Sequence, residues 1–285
     1  MRQDISRRSA LRNLGRAAGL AALPLAASRQ LSASVYGRKK VAALAIGGDR
    51  YHNMDYIRTA LAKTLGKDLG LSLDFSDEVT LLATRYLKDY KLLIVFRDGM
   101  NWPNGYSSMG GGRNSRMVSE PPVPGMEEKA DYWITAAQGK SVKDFVQAGG
   151  GALFYHNSTY ISPHNRDFRD VLGAVTLEHP PLRPFKVKIV NHDHPITRGV
   201  GDFVVTDEQH FVQYEKDPKY ILMQSVNEDG LAWRDLGNSS SAGWAYDYGK
   251  GRVCYLAPGH VIPALWNPEY EKIQKNAAKW LLKEI

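Results

Sequence analysis

Histidines and carboxylates that follow predicted strands are the residues of this chain best suited to chemistry. His52 follows the first predicted strand, His156 the fourth and His260 the last, while Asp207 and Glu208 form a polar turn after another apolar segment. Because the strand ends of an open α/β sheet face one crevice, we expect the three histidines to share a site. Neutral imidazoles with one carboxylate, from either acidic residue, match the ligands of zinc or a similar divalent ion.

The candidate metal ligands are therefore His52, His156, His260 and either Glu208 or Asp207, and we expect His156, His260 and the carboxylate also to be catalytic. No short-range ligand pair such as HExxH supports this set. The prediction depends instead on the strands that must bring these residues together.

His156 occupies the turn after an apolar strand in the sequence Gly-Gly-Gly-Ala-Leu-Phe-Tyr-His-Asn-Ser-Thr. A sharp turn that presents one side chain after a strand is the arrangement of a nucleophile elbow. Because an imidazole stands where serine or cysteine would be the nucleophile, covalent catalysis is not favoured. We interpret His156 as a metal ligand, a general base or a hydrogen-bonding group for substrate. The nearby Ser158 and Thr159 hydroxyls are more typical of helix caps.

The other histidines carry weaker signals. His210 also lies at the end of a predicted element. The His192-Asp-His194 sequence precedes Pro-Ile-Thr, and we interpret its spacing as turn-setting rather than metal-binding. His164 and His179 lie in proline-rich loops and receive no functional interpretation.

Apolar runs and helical spacing indicate how these residues are positioned. Buried strands are expected at residues 40–46, 90–96 and 152–155, and an alternating strand at 71–75. Helices are expected at 53–65, with Asn53 as N-cap, and at 142–148. Shorter segments predict added antiparallel strands at 185–190, 203–205, 220–224, 230–233, 243–246 and 252–256, before a last helix at 268–282. The pattern predicts an α/β fold with a doubly wound, mostly parallel sheet and added antiparallel strands.

Residues 99–129 interrupt this pattern with many Gly, Pro, Ser and Asn residues. A loop of this length inside a domain is usually functional or disordered. Its aromatic and methionine side chains, including Trp102, suit a lid over a ligand, and a flexible insertion without a role is the alternative.

The first residues resemble an export signal. Ser6-Arg7-Arg8-Ser9-Ala10-Leu11 carries the twin-arginine pattern, and a weakly apolar run follows at residues 17–27. The run is short and contains Pro24, so we expect no stable membrane anchor. We expect residues 1–34 to be signal and linker and residues 35–285 to be a single domain. The export machinery is then a partner, and the mature protein is periplasmic or secreted. An amphipathic N-terminal helix is the alternative.

Charge and composition exclude several functions. The chain has 285 residues, 43% apolar and 24% charged, which is typical of a globular protein. Four of its seven excess positive charges lie in residues 1–27, and no basic patch remains, so no nucleic-acid partner is expected. Gly47-Gly48-Asp49 lacks the GxGxxG spacing, and no nucleotide cofactor is expected. The lone Cys254 lies in an apolar strand and is expected to be a core residue.

Four segments carry a resemblance to the trehalose-utilisation, ThuA-like family: residues 149–157, 194–199 (His-Pro-Ile-Thr-Arg-Gly), 202–208 and 244–260. With His52, the similarity spans residues 40–283. It implies a flavodoxin-like α/β fold similar to class I glutamine amidotransferases, and a connection to disaccharide uptake and 3-keto-sugar pathways. The positions that match the polar residues of the family are His156, Glu208, His260 and then His52. The chain departs from the family in residues 99–129 and around His156.

The sequence leaves three alternative functions. The first is an exported enzyme acting on a glycoside or keto-sugar, with a small carbohydrate as its ligand and an optional divalent ion. Sugars need both polar partners and flat apolar faces, and the predicted substrate contacts supply them: His52, Trp102, Tyr155, Asn157 and Trp244. The alternative is a non-catalytic periplasmic sugar-binding or accessory module. An amidotransferase or peptidase needs a nucleophile, for which Cys254 is a poor candidate.

Overall fold

A computed structural model of the protein describes residues 42–101 and 130–285. The predicted export signal, Trp102 and nearly all of the predicted lid lie outside these residues. Within them the chain forms thirteen strands: β1 (Ala42–Gly47), β2 (Ser72–Ser76), β3 (Leu92–Phe96), β4 (Met100–Asn101), β5 (Asp131–Tyr132), β6 (Gly151–Tyr155), β7 (Ala174–Glu178), β8 (Arg183–Ile189), β9 (Phe203–Asp207), β10 (Phe211–Tyr214), β11 (Ile221–Val226), β12 (Ser239–Tyr248) and β13 (Gly251–Leu256).

The same residues form six α-helices: α1 (Met54–Leu61), α2 (Thr84–Leu87), α3 (Ala136–Gln147), α4 (Arg166–Leu172), α5 (Ile262–Leu265) and α6 (Pro268–Leu281). A π-helical segment, Ala62–Lys67, continues α1. Helices α1, α5 and α6 contact one another, as do α2, α3 and α4, so the helices form two layers. None of the helices in the described ranges is long and apolar enough to cross a membrane.

Nine strands form one sheet in the order β2-β1-β3-β6-β13-β12-β11-β8-β9. The first five are parallel to one another, and their chain order is that of flavodoxin-like folds. Strands β3 and β6 are buried at every position, which explains why they are continuous apolar runs rather than alternating ones. The predicted α/β fold with a doubly wound, mostly parallel half is confirmed.

The other half of the sheet is antiparallel, as expected from the shorter segments. Strand β12 pairs antiparallel with β13, and β11, β8 and β9 follow in alternating directions. The fourth change of direction leaves β9 parallel to β13, so both strands end at the same edge of the sheet. Burial alternates along β9, in agreement with a strand that has one solvated face.

Helix caps explain where two helices begin. The Asn53 side chain accepts a hydrogen bond from the backbone of Asp55, which confirms the predicted N-cap of α1. Helix α3 begins six residues before the predicted start at 142, because Thr135 and Gln138 form a reciprocal capping box. The intervening Ala, Gln, Gly, Lys and Ser residues have no apolar period that would have indicated a helix.

One predicted strand is wrong. Residues 230–233 form no strand, because Gly230 has a left-handed backbone (φ 78°) and a short 3-10 turn, Arg234–Leu236, follows at once. The antiparallel pair of β7 and β10 was not predicted, since each strand is short and flanked by polar loops.

Candidate functional site

Three histidines and one glutamate meet at the carboxyl edge of the main sheet. His52 lies in the loop after β1, His156 directly follows β6, His260 follows β13, and Glu208 directly follows β9. The ring centroid of His52 lies 5.0 Å from that of His156 and 4.9 Å from that of His260. The structure therefore brings together the four residues that we predict as metal ligands.

The nitrogen and oxygen atoms of this cluster face one another at short range. Glu208 Oε2 lies 3.3 Å from His156 Nε2 and 3.1 Å from His260 Nδ1. His260 Nδ1 also lies 3.2 Å from His52 Nε2. One ligand atom from each of the four residues lies within 4.8 Å of the others. We call these four residues the histidine–glutamate cluster.

Asp49 sets the orientation of His52. Its Oδ1 lies 2.8 Å from His52 Nδ1, and its Oδ2 accepts from Asn157 Nδ2 at 2.6 Å. Burial raises the pKa of Asp49, but the bond with His52 outweighs it and holds that pKa below its ordinary value. An ionised carboxylate keeps the imidazole proton on Nδ1, so the Nε2 lone pair of His52 faces the cluster. Asn157 Nδ2 also lies 2.8 Å from His52 Nδ1, so the amide contacts both the carboxylate and the imidazole.

His156 has the elbow geometry indicated by its sequence. Its φ of 44° is unusual for a residue other than glycine, and it directs the side chain into the site at the end of β6. The Nδ1 atom lies 2.8 Å from the Ala257 carbonyl oxygen, which accepts a hydrogen bond from it. The Nε2 atom is buried and makes no hydrogen bond. The imidazole therefore presents an unused lone pair to Glu208.

Asp207 and Glu208 are neighbours with different partners. The Asp207 carboxylate accepts from the backbone nitrogens of Gly259 at 2.9 Å and His260 at 3.0 Å. It thus joins the end of β9 to the segment after β13. Glu208 faces the imidazoles. Of the two acidic residues considered from the sequence, Glu208 is the one that belongs to the histidine–glutamate cluster.

Burial and neighbouring groups shift the pKa values of the site residues in different directions. Burial raises the pKa of Glu208, but the approach of His156, His210 and His260 outweighs it and lowers the pKa far below its ordinary value. Burial lowers the pKa of His156 and of His210, which are therefore neutral. Burial also lowers the pKa of His260, but the interaction with Glu208 more than offsets this and raises it. The site combines two carboxylates of lowered pKa, Asp49 and Glu208, with the neutral imidazoles of His156 and His210.

Two of the predicted substrate contacts are wrong. Tyr155 is fully buried, stacks on Phe96 and donates to the Gln274 side chain at 3.2 Å. Trp244 is fully buried, and its indole nitrogen donates to the Leu172 carbonyl at 2.8 Å. Both are core residues, because their side chains point into the helical layers rather than toward the sheet edge. Substrate contact by His52 and Asn157 stays a prediction, and Trp102 lies outside the described residues.

Cys254 and His194 have the structural roles expected of them. Cys254 is fully buried, and burial raises the pKa of its thiol, as expected for a core residue. The His194 ring accepts a hydrogen bond from the backbone of Ile196 at 3.2 Å and lies over Trp280, so it sets a turn away from the cluster.

Four polar residues at the site were not assigned a role from the sequence: Asp49, Asp98, His179 and His210. Asp49 precedes His52 by three residues, a spacing that could have indicated a loop carboxylate. Asp98 follows β3 at the same edge, and burial together with the nearby Asp49 raises its pKa to about 7. His210 lies two residues after Glu208, whereas nothing local marks His179.

The fold and the site define a class of protein before any comparison: a flavodoxin-like α/β protein with imidazoles and a carboxylate at the carboxyl edge of its sheet. The family model for trehalose utilisation, ThuA, matches residues 43–281. The chain belongs to the ThuA family, and this membership implies a carbohydrate-related role. Among curated proteins, no sequence matches the chain.

Solved structures share the fold at low sequence identity. A ThuA-like protein from Bacteroides uniformis is 19% identical, with a TM-score of 0.61 over 86% of this chain and 93% of that one. A ThuA-like protein from Parabacteroides merdae is 15% identical, with a TM-score of 0.62 over 86% and 91%. A β-galactosidase from Rahnella sp. R3 is 16% identical, with a TM-score of 0.53, and the match covers 86% of this chain but only 32% of the enzyme. These likenesses concern the fold alone.

Proposed function

We propose that the protein is an exported enzyme that uses a divalent ion to act on a glycoside or keto-sugar. The observation that carries the proposal is the spacing of the histidine–glutamate cluster. Its neighbouring ligand atoms are 3.1, 3.2 and 3.3 Å apart. A tetrahedral zinc ion with bonds of about 2.0–2.1 Å requires ligand atoms about 3.3 Å apart. The spacing therefore fits one ion at the centre of the cluster.

The charge states of the same atoms favour a cation. His156 holds its proton on Nδ1, so the lone pair of Nε2 faces the ionised Glu208 carboxylate 3.3 Å away. His52 holds its proton toward Asp49, so its Nε2 lone pair faces His260 Nδ1. The contact of His156 Nε2 with Glu208 Oε2 joins two electron-rich atoms and is repulsive unless a cation stands between them. Three nitrogens and one oxygen are a donor set that suits zinc better than magnesium or calcium.

The surrounding residues support the ligands in the way that metal centres require. The ring N–H of His52 donates a hydrogen bond to a carboxylate, and that of His156 donates to a backbone carbonyl. These are the two partners that most often orient a ligating imidazole. The side chains of His260 and Glu208 are 22% and 13% exposed, whereas that of His156 is buried. Substrate would therefore approach from the side of His260 and Glu208.

A divalent ion bound here would take a carbonyl or hydroxyl oxygen of the sugar as a fifth ligand and act on it as a Lewis acid. The residues of the chain would hold and move protons around that oxygen. His260 is a candidate because Glu208 raises its pKa, and Asp98 is a second because it titrates at about 7. The sugar part of the proposal rests on the trehalose-utilisation family and the export part on the twin-arginine pattern at Arg7 and Arg8.

The test is a metal and activity analysis of the purified protein. We expect at least one zinc ion per chain. We also expect conversion of 3-keto-glycosides, which mass spectrometry would monitor. His156→Ala should lower both, whereas His192→Ala, an exposed histidine away from the cluster, should change neither. A protein without metal and without turnover would contradict the proposal. Sugar binding by calorimetry with the sugar recovered unchanged would support the accessory-module alternative instead.

A further inference from the structure

Four imidazoles surround one oxygen of Glu208, two from the histidine–glutamate cluster and two from outside it. Its Oε2 lies 3.1 Å from His260 Nδ1, 3.3 Å from His156 Nε2, 3.5 Å from His210 Nε2 and 3.7 Å from His179 Nδ1. A tetrahedral ion in the histidine–glutamate cluster already has its four ligands. It leaves His179 and His210 without a function beside an anionic oxygen.

His210 cannot be explained as an ordinary core residue. Its side chain is 1% exposed, and neither ring nitrogen makes a hydrogen bond. A neutral imidazole carries one donor and one acceptor, and leaving either unpaired in the interior costs about 1–3 kcal/mol. Buried polar groups without partners are rare enough that each needs a cause, and an absent ion is one such cause. The Nε2 atom faces Glu208.

His179 completes a second set of ligands. Its ring stacks on that of His210, with centroids 4.9 Å apart and planes 11° apart. Its Nδ1 lies 3.7 Å from Glu208 Oε2 and 2.9 Å from the Pro180 carbonyl oxygen. One ligand atom from each of His179, Glu208 and His210 lies within 4.8 Å of the others. The His179 side chain is 31% exposed, so this set opens toward solvent.

We infer that His179, His210 and Glu208 bind a second divalent ion, with the Glu208 carboxylate bridging the two ions. This inference rests on the proposed function for the first ion. Three protein ligands and an open side are the arrangement of a catalytic rather than a structural ion. Bridged pairs about 3.5–4 Å apart are common in hydrolytic enzymes. The Asp49 carboxylate, whose side chain is inaccessible to solvent, adds negative charge that offsets part of the charge of two dications.

The decisive measurement is the number of ions bound per full-length chain. The purified protein is stripped with a chelator, loaded with Zn²⁺ alone, dialysed and analysed by mass spectrometry of the metal. We expect two ions per chain in the wild type and one in the His179→Ala/His210→Ala double variant. His164→Ala is the matched control, because this histidine stacks on Tyr132 outside both ligand sets, and it should retain two ions.

The number of bound ions distinguishes a failure of the second site from a failure of the first. One ion in the wild type overturns the second site and leaves the first ion standing, whereas no ion overturns both. Two ions in the wild type and in the double variant place the second ion elsewhere and overturn the assignment. Because His210→Ala empties a buried position, His179→Ala alone serves as a variant that should fold normally and lose one ion. Loading with Mn²⁺ gives an independent readout, since a bridged pair shows an exchange-coupled electron paramagnetic resonance spectrum and a single ion does not.

Discussion

Gly259→Ala is the most direct steric test of the position of His156. A Cβ at residue 259 would lie 2.6 Å from His156 Cβ, 2.9 Å from Phe96 Cζ and 3.0 Å from His156 Cγ. Gly259 cannot withdraw freely, because its N–H donates to Asp207 at 2.9 Å and its carbonyl accepts from Tyr56 at 3.2 Å. The imidazole must therefore move.

The size of the movement follows from the contact distances. An ordinary carbon contact begins at 3.4 Å, so the two Cβ atoms must separate by about 0.8 Å. Metal–ligand distances tolerate only about 0.2 Å. We therefore expect zinc affinity to fall about 10- to 100-fold, the range found when residues that orient a ligand are changed. Overpacking should also lower the free energy of unfolding by about 1–3 kcal/mol.

Two measurements separate these effects. Competition with a chromophoric chelator gives the zinc affinity, and chemical denaturation of the metal-free protein gives the free energy of unfolding. Gly66→Ala is the matched control, because its nearest neighbour would be a leucine methyl 3.7 Å away, and it should change neither quantity appreciably. If Gly259→Ala loses stability but binds zinc as tightly as the wild type, His156 is not a ligand and the reasoning is refuted.

Three further predictions test the core, the charges and the export signal. Trp244→Phe should lower the free energy of unfolding by about 2–4 kcal/mol, because it empties core volume and leaves a buried carbonyl unpaired, with metal content unchanged; lost turnover at unchanged stability would instead place Trp244 against substrate. Because the pKa of His260 is raised above 6.5, its pair with Glu208 should stabilise the metal-free fold below that pH, and this stabilisation should be lost as pH rises through the raised pKa. Zinc affinity should show the reverse trend, falling as pH drops, and two curves of the same sign in denaturation and zinc titration would contradict this. Arg7→Lys/Arg8→Lys should retain the protein in the cytoplasm on cell fractionation, and unchanged export would exclude the twin-arginine route.

The positions of the three cluster histidines could be predicted because they depend on local signals. Each follows an apolar run that reads as a strand, and parallel strands place their carboxyl ends at one edge. Glu208 could not be separated from Asp207 in this way. Strand β9 is four positions from β13 in the sheet, and a contact between residues distant in sequence, that of Asp207 with Gly259, holds the end of β9 near the imidazoles. No local pattern encodes such a contact.

The errors at Tyr155 and Trp244 have a different cause. Both residues lie in strands next to site residues, and an aromatic side chain there has the same sequence context whether it faces a ligand or a helical layer. Burial on both faces of β6 decides the matter for Tyr155. His210 is the converse case, since a polar residue that looked like part of a loop is fully enclosed. Which face a residue occupies depends on helices that are distant in sequence.

The contrast between Asp207 and Glu208 explains how one strand end can serve both the fold and the site. Asp207 is buried against backbone N–H groups, so it fixes the path of the segment that carries His260. Glu208, one residue further, faces the imidazoles of His156 and His260. A nucleophile elbow in this position would need a base to accept a proton from serine or cysteine. Here His156 has its own proton committed to Ala257, so the same sharp turn can offer only a lone pair. The elbow is therefore suited to hold a cation beside Glu208 and not to attack a substrate.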